Sequence, residues 1–114
     1  MMECLCENNV TTTIKVEGDV GADPIWCQHC GCNLELDDFP VSSALKQQLA
    51  HWGMEYGEWI DWQKDVLLPN GIRLEEQHNQ AGFKLTEKIK SELQADFHVI
   101  FSPSSSARMY ANKW

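Results

Sequence analysis

Val10-Thr11-Thr12-Thr13-Ile14-Lys15-Val16-Glu17 is the stretch that decides the fold. It is rich in β-branched residues, and from Thr12 onward polar and apolar positions largely alternate, the period of a strand with one face on a core. Near the other end, Phe97-His98-Val99-Ile100-Phe101 reads as a second short, apolar strand closed by Ser102-Pro103. A strand left alone exposes unpaired N–H and C=O groups along both edges. Phe97–Phe101 is therefore expected to pair with Val10–Glu17 or a neighbour. That pairing would join the two ends of the chain into one α+β domain over residues 1–114.

Between the strands the pattern turns helical. Ser42-Ser43 suits a helix cap, and Leu45, Leu49, Trp52, Tyr56, Trp59 and Ile60 follow at the three-and-four spacing of a buried stripe. The spacing predicts a helix over 44–62, interrupted by Gly53 and Gly57. Leu68-Pro69-Asn70-Gly71 is a turn. A second helix, over about 74–95, should carry Phe83, Leu85, Ile89 and Leu93 inward, with Gly82 as a candidate break. Cys32–Leu36 has the look of a short returning strand. The expected organisation is a β lobe over 4–36, a helix-helix-strand part over 42–101 and a tail over 102–114. Met109, Tyr110 and Trp114 argue that the tail docks, since disordered tails are poor in such side chains.

All five cysteines precede residue 33: Cys4-Leu5-Cys6, then Cys27-Gln28-His29-Cys30-Gly31-Cys32. Two close pairs of thiols suit a tetrahedral metal site, because two cysteines two residues apart can turn both sulfurs toward one ion. Glycine after the pair lets backbone N–H groups face the thiolates. The Cys27–Gly31 segment resembles the knuckle of zinc-ribbon proteins, a resemblance confined to residues 4–36. It implies two hairpin knuckles giving Cys4, Cys6, Cys27 and Cys30 to a structural Zn²⁺. The first pair departs from the usual two-residue gap, so Cys32 or His29 stands as an alternative ligand. Trp26-Cys27-Gln28-His29-Cys30 also resembles the thioredoxin active-site tetrad, which would make Cys27 and Cys30 a redox pair. Gly31, Asn33 and Leu34-Glu35-Leu36 make a poor helix start, however, and no βαβ unit precedes the motif.

Seventeen acidic residues against nine basic ones give a formal charge of −8. Four thiolates with Zn²⁺ would bring it to about −10. Such a chain repels phosphate backbones and anionic lipid heads, unlike the basic zinc ribbons that grip nucleic acid. Met1-Met2-Glu3-Cys4 has no features of a signal peptide, and no apolar run approaches the ~20 residues of a membrane span. The expectation is a cytoplasmic protein without nucleic-acid or membrane partners, in a compartment where thiols stay reduced.

Glu55, Glu58, Asp61, Trp62 and Asp65 concentrate charge and aromatic surface in eleven residues. On a continuous helix, Glu58, Asp61 and Asp65 would share one face. Aromatic rings among carboxylates suit recognition of a basic protein surface. Glu75-Glu76-Gln77-His78 has the Glu-x-x-His spacing of di-metal bundles, but those need the motif on two helices. The composition thus favours a protein-binding adaptor or regulatory module. The alternatives are a metal-assisted hydrolase built on Glu58, Asp61 and His78, a thiol-redox protein, and an acidic mimic of nucleic acid.

Overall fold

The structure, a computed structural model, describes residues 2–113, and of residues 108 and 111–113 the backbone only. Trp114, named above in the tail, lies outside the described residues. The chain is α+β. Its centre is a three-stranded sheet in the order β4 (Ile25–Cys27), β3 (Thr13–Val16), β7 (His98–Phe101). Strand β3 is antiparallel to β4 and parallel to β7, with Ile14 opposite Val99 and Val16 opposite Phe101. The two ends of the chain therefore meet as expected. A parallel pair needs a long crossover, and here it contains the helices α1 (Ser43–Met54) and α2 (Gly71–Leu93). Alternation along β3 buries Ile14 and Val16 completely, together with Ile25, Leu49, Ile89 and Phe39.

Ser42 caps α1, its hydroxyl accepting from the Leu45 N–H at 3.3 Å. The helix ends at Met54, not near Trp62. Gly57 adopts φ +87°, and the Ile60 N–H donates back to the Gly57 carbonyl at 3.0 Å. A left-handed residue stops helical propagation, and the chain turns into a hairpin of β5 (Ile60–Asp61) and β6 (Val66–Leu67). Acidic residues 55–65 thus sit on a turn and a hairpin, so the shared helical face proposed for them does not exist.

Helix α2 begins at Gly71 and runs unbroken through Gly82. A Cβ at Gly82 would lie 2.6 Å from both Phe101 Cε1 and Trp52 Cζ2, so this glycine is where α1, α2 and β7 touch. The buried stripe of α2 is Glu75, His78, Gly82, Leu85, Thr86, Ile89 and Leu93. Phe83 falls off that stripe and is exposed, contrary to its expected place in the core. Nor do residues 32–36 form a strand: Asn33 makes one isolated bridge to Trp26, and a 3-10 turn follows at Leu36–Asp38. Before the central sheet, β1 (Met2–Glu3) pairs with β2 (Val10–Thr11). After it, α3 (Ser106–Lys113) folds back onto α2, burying Ala107 beside Trp59 and Ile60. Among the described residues no helix is long and apolar enough to cross a membrane.

Candidate metal centre and acidic cleft

Two tight turns bring the thiols together. In the first, the Cys4 N–H donates to the Asn9 carbonyl at 3.0 Å and the Asn9 N–H to the Cys6 carbonyl at 2.8 Å, with Asn9 left-handed at φ +61°. In the second, the Gly31 N–H donates to the Cys27 carbonyl at 2.9 Å, with Gly31 at φ +77°. Strand β3 follows the first turn and pairs with β4, whose last residue is Cys27. The sulfurs of Cys4, Cys6, Cys27 and Cys30 consequently lie within 4.8 Å of one another. Cys6 and Cys27 Sγ are 3.5 Å apart. Zn–S bonds of about 2.3 Å in a tetrahedron put sulfurs about 3.8 Å apart, so the cluster has the dimensions of a four-thiolate metal site.

The charges in this cluster are unevenly held. The Cys30 thiol is lowered to about 6, chiefly by the backbone N–H of Cys32, with burial opposing. For Cys27, burial acts upward but is outweighed by the backbone at Cys30 and His29 and by the Thr11 hydroxyl, and the net direction is down. Cys6 is pushed far up, first by its contacts with Cys4 and Cys27. Four sulfurs this close cannot all ionise without a cation between them. Cys32 lies outside the quartet, half-buried and raised by burial, and its carbonyl accepts from the Cys27 N–H at 3.0 Å. His29 is exposed and is not among the four.

The acidic residues belong to the turn and hairpin that follow α1. The Glu58 N–H donates to the Glu55 carbonyl at 3.2 Å, closing the turn after α1. Glu55 and Glu58 then line a cleft of about 140 Å³ with Trp52, Trp59, Leu74, Gln77, His78 and Ala81. Asp61 does not join them. Its carboxylate accepts from the Gln63 and Lys64 N–H groups, both at 3.1 Å. Trp62 is 56% exposed, its Nε1 donating to the Gly57 carbonyl and its ring edge-on to Tyr110. Asp65 accepts from the Tyr110 hydroxyl at 2.7 Å. The three groups weighed as a hydrolytic set, Glu58, Asp61 and His78, do not converge.

Both members of the Glu-x-x-His pattern are buried, and each has a structural partner. His78 stacks on Trp52, and burial lowers its pKa, so the ring is neutral at pH 7. Glu75 Oε2 accepts from the Ser104 hydroxyl at 2.7 Å and from the Ala107 N–H at 2.8 Å, the start of α3. A carboxylate at a helix N-terminus is well placed electrostatically. Asn79 pairs with the backbone of Ser104 in both directions, at 3.0 and 2.9 Å. Sequence reasoning missed this clamp. Its only sequence signal is the Glu75–Asn79 helical spacing facing a run of serines.

The family described as Serratia CdiI immunity protein-like matches residues 12–104, from β3 to the serine clamp. That span holds Cys27, Cys30 and the whole acidic cleft, and Cys4 and Cys6 precede it. None of the curated proteins matches the chain.

Proposed function

The chain belongs to the Serratia CdiI immunity protein-like family, and from that premise we propose that it binds and neutralises a toxin protein. The family match over 12–104 carries this reading. The acidic residues on the turn and hairpin after α1, with Trp62 exposed among them, supply a surface for a basic partner. A desolvated tryptophan and complementary charge are what such interfaces use for affinity and for rapid encounter. The formal charge of −8 argues against nucleic acid as the partner.

Cys4, Cys6, Cys27 and Cys30 take a structural role in this proposal, holding one Zn²⁺ that ties the N-terminal turns to the central sheet. Four thiolates leave a zinc ion no open position for water or substrate. Thiols kept reduced for metal suit the cytoplasm, which is where we place the protein.

The test is protection. Cells producing the matching toxin domain should grow when this chain is co-expressed, and the two proteins should co-purify as a stoichiometric complex. Replacing Glu58, Asp61 and Asp65 by lysine should remove both effects while the circular dichroism spectrum is retained. A folded chain that neither protects against nor binds any candidate toxin overturns the reading.

A further inference from the structure

Resting on the toxin-binding reading, we infer that the cleft between the Glu55–Glu58 turn and helix α2 receives a single arginine side chain of the partner. Size sets the first limit. At about 140 Å³ the cleft falls well below the ~300–1,000 Å³ of sites that enclose a whole small molecule. One side chain is the scale that fits.

The walls set the chemistry. Trp52, Trp59, Leu74 and Ala81 are apolar, while Glu55, Glu58 and Gln77 supply acceptor oxygens. Glu58 has no ion pair among the described residues, and Glu55 meets only the imidazole of His51, at 3.6 Å on an exposed part of α1. Among the described residues no lysine or arginine lines the cleft.

His78 provides an independent observation. It belongs to the cleft wall and is only 7% exposed. Its Nε2 lies 2.9 Å from the Trp52 carbonyl, which can only accept, so Nε2 bears the proton. Nδ1 is left as a buried acceptor with no hydrogen-bond partner among the described residues. Buried polar atoms are seldom left so. Glu55 is half-buried and Glu58 and Gln77 are exposed, so their oxygens stand open to a donor that enters the cleft, beside the buried imidazole lone pair. Guanidinium has five N–H donors in a flat fork, no acceptor, and a charge that persists at any physiological pH. Ammonium is a strongly hydrated point charge with three donors, and it suits a narrow, partly apolar cleft less well.

The probe is the peptide acetyl-Gly-Arg-Gly-amide, titrated into the full chain at pH 7.5 and low salt. The indole N–H signals of Trp52 and Trp59 are followed by ¹⁵N NMR. Both should shift and saturate with a dissociation constant in the millimolar range, and Glu58→Gln should weaken binding about tenfold, as loss of a charge-assisted bond implies. The citrulline peptide, equal in shape but neutral, should leave the signals unmoved. Equal shifts with citrulline, equal affinity for a lysine peptide, or unchanged affinity in folded Glu58→Gln would each overturn the assignment. No toxin enters this titration. An arginine response in a chain that protects no cell would remove the immunity reading alone. Protection undiminished by Glu58→Gln, without an arginine response, would remove the cleft alone.

Discussion

Trp52 and His78 are joined by three contacts: each ring nitrogen reaches the other residue's carbonyl, at 2.8 and 2.9 Å, and the two rings stack 4.3 Å apart at 8°. This reciprocal tie fixes α1 against α2 at the base of the acidic cleft. Burial opposes the imidazolium and holds His78 neutral, although its bond to the Trp52 carbonyl acts the other way.

Stability should therefore fall with acid. The folded-state pKa of His78 lies below the ordinary 6.5, so below about that pH the unfolded chain binds the extra proton and folding loses free energy. The contribution is complete above pH 6.5 and is lost as the pH falls from there toward the lowered value. Its slope is at most ~1.4 kcal/mol per pH unit. Urea titrations of wild type and His78→Phe between pH 7.5 and 5 check this. The variant is less stable at pH 7.5, and its midpoint should depend less on pH. Parallel slopes would show that His78 is not the group responsible.

The metal centre gives a prediction about which thiols matter. Native mass spectrometry of untagged protein should find one Zn²⁺ per chain. Cys27→Ser and Cys6→Ser should lose it, while Cys32→Ser should retain it, because Cys32 lies outside the sulfur quartet. Zinc loss from Cys32→Ser would mean that the quartet rearranges when metal binds.

Gly82→Ala should destabilise the fold by ~1–3 kcal/mol, the usual cost of overpacking. The added methyl would stand 2.6 Å from Trp52 and Phe101. Both rings belong to different elements, so relief at one tightens the other. Thermal unfolding reads the effect, and an unchanged midpoint would contradict the close approach of α2 to β7.

Glu75→Ala should free the C-terminal helix, since Glu75 holds Ser104, Ser106 and Ala107 through one oxygen. Leaving the buried Ala107 N–H unpaired costs ~1–3 kcal/mol. Limited proteolysis within 106–113 should accelerate well before global unfolding, and Trp59, whose Nε1 donates to Ser106, should change its fluorescence. Equal cleavage rates in variant and wild type would rule out the clamp.

Chelation should be felt by the whole chain. Cys27 ends β4, which pairs with β3, and β3 pairs with β7. Helical circular dichroism and thiol reactivity should therefore change together as metal is withdrawn. A helical signal that persists with every thiol reactive would show that the sheet holds without its N-terminal turns.

What the sequence determined by itself is what short-range chemistry encodes. Alternation in Thr12–Glu17 and the apolar run Phe97–Phe101 mark the strands, Ser42 marks the helix start, and the crowding of cysteines before residue 33 marks the thiol cluster. Each depends on neighbours within a few positions, where periodicity and capping act. The tertiary structure alone decided where α1 stops, because Gly57 can sit inside a helical pattern until the β5–β6 hairpin claims the residues after it. It likewise decided that Glu75 and His78 are buried while Phe83 is exposed. Hydrophobicity points the other way, and burial of the polar pair is tolerated because Ser104, Ala107 and Trp52 supply partners from 26 to 32 positions away. Those partners are not visible to any local pattern. The acidic cleft has the same origin: its residues come from the end of α1, the following turn and the first half of α2, and only the packing of α1 on α2 brings them to one place.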